Sequence, residues 1–471
     1  MHAVTDQIMS IRSSPAYAAD RNAALPLSRQ SRAFRFSTRG WVEFVILGYL
    51  VLTRSFAYIG FAPANIFISE IALGCLILFR SRALDWFFVN RSRDFAFKEL
   101  RWGATIYLLH GGFAISWAIW LGYDLIDILR MAGFHYYVVY LPFGLWLGMQ
   151  YPDLLVSLVK KLAWITAIYG TLYVLFLNRM SWITVPGAPW IQLFGQPGSG
   201  GIVMLGLLSL GLAQKMWPHL LAATFVFFGI QMRAEWLGGI AGCAILFALG
   251  VQRRLMIIAF IAGTLLLATA YAFDLKMDGP QGRDGEISVR GIVARVIAPI
   301  DPDAASDMTG SDFSTFKGTV DWRTYWWDQI WKQINENDSD AAYFLGMGYA
   351  YPISDLGAYG TGGIRTPHNI FFYALGYHGW VGVVVFWLMQ GLILYTLWRV
   401  YRQTGQAFGI VFVVICTSMG LFGNFFETPY GAIPYYLVVG ICAAPLANRW
   451  VQSHYVPGVA TPHRDLVQKK E

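Results

Sequence analysis

The feature that most constrains this chain is a series of apolar stretches along almost its whole length. Only 13% of its 471 residues are charged and 56% are hydrophobic, whereas soluble proteins carry roughly 25% charged residues. Because a helix needs about 20 apolar residues to cross the hydrocarbon core of a bilayer, we interpret the chain as an all-α membrane protein. About twelve transmembrane helices are predicted, near residues 41–53, 61–79, 102–121, 133–149, 162–178, 199–214, 218–231, 236–251, 255–273, 369–398, 407–424 and 433–447.

The distribution of lysine and arginine predicts how these helices are oriented. When the N-terminus is placed in the cytoplasm, most of the 35 basic residues fall in inner segments, and many of the others lie in one long outer loop. Long loops escape the positive-inside rule, so we predict that both termini are cytoplasmic. The net charge of +7 is therefore attributed to topology, and no nucleic-acid partner is expected.

The predicted organisation follows from this orientation. It comprises a basic cytoplasmic tail over 1–40, the first nine transmembrane helices over 41–273, a large and partly helical periplasmic loop domain over 274–367, the last three transmembrane helices over 368–448, and a cytoplasmic tail over 449–471. The tenth span is longer than a bilayer requires. We expect its first turns to project outward, or the helix to bend at Gly376, Gly379 or Gly382.

The segment that leads into the tenth span is predicted to start a helix. Thr366 can cap it, Pro367 suits the first helical position, and His368 and Asn369 would follow in the first turn. Free N–H groups and the helix dipole at such an end attract anions. The same positive end disfavours imidazolium, which would leave a neutral imidazole able to accept a proton near pH 7. The alternative is a hydrogen-bonded polar residue at the membrane interface.

The long outer loop contains a predicted aromatic helix over residues 321–334. Trp327 and Trp331 lie four residues apart beside Arg323, so one helix face would combine aromatic rings with a cation. Such a tryptophan cluster is typical of an interfacial belt, and sugar stacking is the functional alternative. The Gly346-Met347-Gly348 sequence predicts a turn where the backbone could approach a ligand.

Three arginines on the predicted outer side are candidates for binding phosphate: Arg233, Arg323 and Arg365. Guanidinium is permanently charged and binds phosphate oxygens in a bidentate manner that lysine cannot copy. The alternatives are a membrane anchor or a partner of Glu235 for Arg233, a solvated helix face for Arg323, and a plain loop charge for Arg365.

No metal site and no cofactor are predicted. The pairs Asp301-Pro302-Asp303 and Asp338-Ser339-Asp340 could hold a metal on a nucleotide sugar, but such pairs are short and common by chance. The four cysteines all lie inside apolar runs, which favours simple packing over a disulfide or a metal pair. The sequence contains no His-Glu-x-x-His, Walker or Gly-x-Ser-x-Gly motif.

Two motifs resemble those of the O-antigen ligase family, which also includes O-antigen and exopolysaccharide polymerases. His368-Asn369, followed after nine residues by Gly379 and Gly382, matches one family pattern, and Arg233 with Leu237 matches the Arg-x3-Leu pattern. Arg323, followed by the aromatic helix and Gly346-x-Gly348, also looks like the loop pattern of the family.

The resemblance implies metal-independent glycosyl transfer at the periplasmic face of the bacterial inner membrane. The donor would be a glycan on undecaprenyl diphosphate, and the acceptor would be the lipid A core for a ligase or another lipid-linked repeat unit for a polymerase. The implied catalytic residues are His368 as general base or acceptor-orienting group, with Arg233 and Arg323 neutralising the diphosphate. The predicted substrate-binding residues are Arg365, Asn369, Arg290, Trp327 and Trp331.

Two other classes of function remain as alternatives. A twelve-span transporter predicts inverted repeats and charges paired along a path through the membrane. The candidate membrane charges Glu43, Glu70, Asp124 and Asp127 do not repeat between the halves of the chain. A glycan-binding scaffold without activity is the second alternative. Between ligase and polymerase the sequence leaves the choice open.

Overall fold

The computed structural model describes residues 38–59, 67–89, 95–278, 286–297, 301–309, 314–336, 339–356 and 366–447. These residues are mostly helical, as predicted, with two short antiparallel hairpins that the sequence analysis did not predict. Residues 38–42 form the start of the first helix, and the other described residues, 43–447, form one compact unit. Both predicted cytoplasmic tails fall almost entirely outside the described residues.

The first half of the chain forms a run of helices that ends in a hairpin. Its helices are α1 (Thr38–Leu52), α2 (Arg54–Tyr58), α3 (Ile68–Val89), α4 (Lys98–Trp120), α5 (Leu125–Met131), α6 (Gly133–Tyr136), α7 (Tyr140–Gln150), α8 (Leu154–Ile165) and α9 (Thr171–Leu175). A π-helical turn, Thr166–Gly170, joins α8 to α9. The hairpin that follows pairs β1 (Thr184–Val185) with β2 (Ala188–Gln192).

The second half contains the long loop and the last helices. Its elements are α10 (Gly200–Ser209), α11 (Trp217–Gly229), α12 (Arg233–Ala248), α13 (Arg253–Ala272), the hairpin of β3 (Lys276–Asp278) and β4 (Glu286–Ser288), α14 (Val289–Ile297), α15 (Pro302–Thr309), α16 (Ser314–Asn335), α17 (Asp340–Leu345), α18 (Ile370–Thr404), α19 (Phe408–Leu421) and α20 (Pro429–Ala443). Helix α20 is buried almost throughout and packs against α7, α18 and α19, whereas α13 has no buried residue.

The helices agree with the predicted spans in position more clearly than in number. A helix overlaps each of the twelve predicted stretches. Within the described residues, four helical segments are long and apolar enough to cross a membrane: Leu154–Leu175, Arg253–Ala272, Ile370–Thr404 and Pro429–Ala447. Three further apolar helices, Gly200–Ser209, Trp217–Gly229 and Phe408–Leu421, are shorter. The chain is therefore a helical membrane protein, and the count of twelve stays a prediction.

The predicted aromatic helix lies within α16, which packs against α18. Its buried face carries Trp326, Ile330 and Ile334, which are each four residues apart and therefore lie on one face of the helix. The indole Nε1 of Trp326 donates a hydrogen bond to the carbonyl oxygen of Ile353, 2.7 Å away. This contact ties α16 to the last part of the long loop, next to the start of α18.

Helix α18 begins later than predicted. Asn369 is its N-cap, and the Asn369 Oδ1 accepts hydrogen bonds from the N–H groups of Phe371 (2.8 Å) and Phe372 (3.4 Å). The prediction that Thr366 caps this helix and that His368 lies in its first turn was wrong. Thr366 and Asn369 are both good capping residues, and the tertiary contacts around Pro367 select the second.

The predicted bend in the tenth span is confirmed at Gly379. This residue has φ +61° inside α18 and interrupts the helix. The carbonyl oxygens of Gly376 and Tyr377 instead accept hydrogen bonds from the N–H groups of Met347 (2.9 Å) and Gly348 (3.0 Å). The turn at residues 346–348 therefore approaches the backbone of a helix, where the sequence analysis expected a ligand. Kinked helices in membranes need such substitute partners for their backbone groups.

Candidate active site

A cavity of about 540 Å³ lies among the ends of several helices. Its lining comes from the α1–α2 junction, the β2 strand and the loop after it, the start of α12, the residue before the cap of α18, and the loop between α19 and α20. Its lining includes Arg54, Trp190, Gln192, Met232, Ala234, His368 and Phe422. In the topology predicted from the charge distribution, every one of these segments lies at the outer end of its helix.

His368 lines this cavity in an unusual backbone conformation. Its φ is +54°, in the left-handed region that costs a non-glycine residue about 1 kcal/mol or more. The carbonyl oxygen of Pro367 accepts a hydrogen bond from the indole Nε1 of Trp327 at 2.8 Å, and the ring of Trp322 lies 6.2 Å from the imidazole, centre to centre. Asn369 begins the helix on the other side. The backbone on both sides of His368 is thus held in place, and such local strain is typical of functional sites.

The start of α18, next to His368, has fewer free N–H groups for an anion than the sequence suggested. The N–H groups of Phe371 and Phe372 are both occupied by the Asn369 side chain. Asn369 is also buried, with 9% of its surface exposed. Its described contacts are those of a cap that orients His368, and its predicted role in binding substrate stays a prediction.

Arg323 lies at the rim of the cavity. Its Nη1 donates a long hydrogen bond of 3.5 Å to the carbonyl oxygen of Phe422, a cavity residue. The Arg323 Nε is buried and has no hydrogen-bond partner in the described part of the chain. Burial lowers the pKa of this guanidinium, since the charged form loses hydration. A partly dehydrated cation with an unused donor is well suited to an anionic oxygen.

Arg233 is the first residue of α12 and is half buried. Its two neighbours in sequence, Met232 and Ala234, line the cavity. The carbonyl oxygen of Ala234 accepts a hydrogen bond of 2.9 Å from the Ser418 hydroxyl, which ties this helix start to α19. The start of α12 is therefore next to the cavity, and the predicted role of the Arg233 side chain in neutralising a diphosphate stays a prediction.

Arg54 is a cavity residue that the sequence analysis missed. It is exposed, and its guanidinium lies 5.8 Å from the centre of the Tyr58 ring. No aspartate or glutamate lines the described part of the cavity, so the permanent charge of its described lining is the positive charge of Arg54. One signal was available in the sequence. Arg54 follows the first predicted span on the outer side, where the positive-inside rule disfavours a basic residue.

Glu427, in the loop between α19 and α20, was also missed. Its Oε2 accepts a hydrogen bond of 3.2 Å from the Phe425 N–H, and its buried Oε1 has no hydrogen-bond partner in the described part of the chain. Burial raises the pKa of Glu427 to about 8, because the ionised form would lose hydration that the hydrogen bonds from its own backbone, the Phe425 backbone and the Thr366 side chain only partly replace. At neutral pH this carboxyl is mostly uncharged and does not compete with substrate for the arginines.

The remaining predicted site residues are placed elsewhere or lie outside the described part. The guanidinium of Arg290 lies 3.8 Å from the Asp274 carboxylate and 5.2 Å from the Tyr271 ring centre. Trp331 packs edge-on against Trp380 at 5.9 Å between ring centres. Arg365 falls outside the described residues.

Trp327 contacts residues on both sides of His368. Its ring stacks on Phe372 at 5.3 Å between ring centres, and its indole Nε1 donates a hydrogen bond to the backbone of Pro367.

The two Asp-x-Asp pairs do not form a metal site among the described residues. The Asp301 carboxylate accepts a hydrogen bond of 2.9 Å from the Ala304 N–H, and Asp338 falls outside the described residues. Among the residues that the structure describes, no group of three metal-binding side chains comes together.

Residues 219–387 match a family model described as O-Antigen ligase. This range includes Arg233, Arg323 and His368, and it leaves out Arg54 and Glu427. The family resemblance inferred from the motifs is confirmed by this match. No curated protein matches the chain.

Proposed function

We propose that this chain, which carries an O-antigen ligase family domain at residues 219–387, moves a glycan from undecaprenyl diphosphate to a sugar hydroxyl at the periplasmic face of the bacterial inner membrane. The family match supports an enzyme of the glycosyltransferase type in polysaccharide biosynthesis. The observation that carries the finer proposal is the position of His368. A histidine held in a left-handed conformation lines a cavity whose described walls hold arginine and no carboxylate.

The arginines suit the leaving group of this reaction. Negative charge grows on the diphosphate as the bond between the sugar and the diphosphate oxygen breaks. Fixed cations aimed at that oxygen stabilise the transition state more than the ground state. Arg323 and Arg233 take this role in the proposal. Arg54, from the N-terminal part of the chain, contributes a third cation. Arg365 and Arg290 stay as predicted helpers.

His368 takes the proton in the proposed reaction. The acceptor hydroxyl oxygen forms a bond to the anomeric carbon of the donor, and the bond from that carbon to the diphosphate oxygen breaks. The hydroxyl proton moves to the imidazole, and undecaprenyl diphosphate leaves with the bonding electrons. A general base in this position typically contributes 10²–10⁴-fold. The chemistry needs no metal, because the arginines supply the positive charge that a metal would otherwise provide.

Ligase and polymerase differ only in the acceptor. A cavity of about 540 Å³ is within the usual range for small-ligand sites, and its size is compatible with either acceptor. We propose the lipid A core as the acceptor, with a lipid-linked repeat unit as the alternative.

The test uses the purified chain in lipid nanodiscs with a glycan on undecaprenyl diphosphate, offered with lipid A core or with more lipid-linked repeat. Transfer to the core supports a ligase, and chain growth supports a polymerase. Activity in the presence of EDTA supports the metal-independent mechanism. Absence of transfer to either acceptor, with folded protein and intact donor, overturns the proposed function.

A further inference from the structure

We propose that the hairpin of β1 and β2 is a saccharide-binding wall of the cavity, with Trp190 stacking on a pyranose ring of the donor glycan next to the diphosphate. The inference rests on the proposed function, because the ligand is the glycan of the same site. The hairpin lies between α9 and α10, outside the range of the family match. It contributes a surface of a different chemistry from the arginines and the histidine.

The hairpin directs its polar and aromatic side chains toward the cavity. Val185, Ala188 and Ile191 form a small buried cluster, and Ile191 also lines the cavity. Trp190 and Gln192 are both exposed and both line the cavity. Because residues two apart on a strand point to the same face, the ring and the amide form one continuous surface.

The backbone of this wall is held rigidly by side chains from neighbouring segments. The carbonyl oxygen of Gln192 accepts a hydrogen bond of 2.6 Å from the Ser55 hydroxyl, and that of Gln196 accepts one of 3.0 Å from the Thr53 hydroxyl. The carbonyl oxygen of Gly195 accepts a third, of 2.7 Å, from the Tyr169 hydroxyl. A surface that is rigid before binding loses little conformational entropy when a ligand docks.

The exposed indole of Trp190 distinguishes a binding role from a membrane anchor. Trp190 is 60% exposed, whereas Trp182, just before the hairpin, is 77% exposed and is absent from the described cavity lining. Trp182 therefore has the character of an interfacial tryptophan. An aromatic ring on a cavity wall, beside amides that can bond hydroxyls, suits the apolar C–H face of a neutral sugar.

The position of Tyr58 places the sugar next to the diphosphate. The Tyr58 ring lies 5.8 Å from the Arg54 guanidinium and 6.4 Å from the Trp190 ring, which it meets at 90°. Arg54 and Trp190 thus both lie next to Tyr58. A sugar on Trp190 would carry its anomeric diphosphate toward Arg54, which indicates the sugar attached to the diphosphate and not a distant unit of the glycan.

The experiment compares Trp190→Ala and Trp190→Phe with the matched control Trp182→Ala. Initial rates are measured against the concentration of lipid-linked glycan, and inhibition is measured with undecaprenyl diphosphate that carries no glycan. We expect Trp190→Ala to raise the KM for the glycan donor about tenfold, with an unchanged inhibition constant for the bare lipid. Trp190→Phe should recover most of the affinity, and Trp182→Ala should match the wild type in both measurements.

Other outcomes would overturn the proposal that the hairpin binds the saccharide. Equal KM values for Trp190→Ala and Trp182→Ala would overturn it, as would a parallel loss of affinity for the bare lipid. If the wild type shows no transfer, the proposed function fails by itself. In that case the thermal shift caused by lipid-linked glycan is compared with that caused by bare lipid. The wall is supported if Trp190→Ala removes only the additional shift from the glycan, and it is overturned if that shift persists.

Discussion

The indole Nε1 of Trp327 donates a hydrogen bond to the carbonyl oxygen of Pro367, 2.8 Å away and one residue before His368. This bond fixes the backbone on the N-terminal side of a residue whose φ is +54°. The tryptophan thus positions the imidazole without contacting substrate in our proposal. A helix in the long loop, far from α18 in sequence, determines where the proposed base lies.

The Trp327–Pro367 bond can be removed while the stacking on Phe372 is kept. We expect Trp327→Phe to lower kcat about tenfold with little change in KM, because misplacing the base by a fraction of an ångström weakens proton transfer more than binding. Steady-state kinetics check this. Equal effects on kcat and KM, or a loss of folded protein, would argue for a purely structural role.

His368 can be replaced by a residue that tolerates its backbone conformation. Asparagine occupies the left-handed region more readily than most residues, so His368→Asn should keep the thermal stability of the wild type. It cannot accept the proton, and we expect transfer to fall at least 10²-fold. His368→Ala should lose both activity and some stability. Wild-type activity in the asparagine variant would exclude the imidazole as the base.

The shape of the Arg323 side chain should matter as well as its charge. Arg323→Lys keeps the cation but loses the fork that bonds two phosphate oxygens. We expect kcat/KM to fall about tenfold to a hundredfold. The matched control is Arg130→Lys, because Arg130 lies 3.3 Å from the Asp127 carboxylate and is outside the described cavity lining. A similar fall of kcat/KM in both variants would show that Arg323 has no specific role in the site.

Glu427 should make the stability of the protein depend on pH. Burial raises its pKa in the folded state to about 8, above the reference value of 4.5. The folded state therefore binds more protons than the unfolded state between these values, and the free energy of unfolding falls as pH rises through this window. The slope is at most about 1.4 kcal/mol per pH unit.

Glu427→Gln removes that ionisation while keeping the shape of the neutral carboxyl. Its thermal midpoint should be close to that of the wild type at pH 5 and higher than the wild type at pH 8 to 9. Thermal unfolding at a series of pH values measures the difference. A constant difference across the series would show that the folded and unfolded states do not differ in the ionisation of Glu427.

Gly379 and Gly391 lie in the same helix and offer a matched pair. Gly379 has φ +61°, and an added Cβ would lie 2.5 Å from the carbonyl oxygen of Phe344, whereas a Cβ on Gly391 meets nothing within 4 Å. We expect Gly379→Ala to destabilise the fold by about 2–4 kcal/mol. Gly391→Ala should be neutral or slightly stabilising. Equal stability of the two variants would rule out a required kink.

The sequence alone predicted the features that depend on a short stretch of chain. Apolar run length predicted the positions of the helices, and glycine in an overlong span predicted the bend at Gly379. The cap of α18 was assigned to the wrong residue. Thr366 and Asn369 have similar intrinsic preferences, and the bond from Trp327 to the backbone of Pro367, which comes from α16, is not visible locally.

The cavity itself could be predicted only in part. His368 was found through a motif and lines the cavity, and the motif predictions for Arg233 and Arg323 stay predictions. Arg54 belongs to no motif and reaches the cavity through the fold at the junction of α1 and α2. The pKa of Glu427 depends on burial, which sequence does not specify. The hairpin is too short for a periodic pattern, since β1 has two residues and β2 has five, and its Pro186-Gly187 turn was its one local signal.

The bonds from Met347 and Gly348 to the carbonyls of α18 restrict how substrate can reach the site. Residues 346–348 complete the hydrogen bonding of an interrupted helix, so swinging them aside would leave two carbonyls bare in an apolar setting, at a cost of several kcal/mol. This part of the loop cannot serve as a gate. In the proposed function, a lipid-linked glycan would therefore reach the cavity past a different edge of the protein.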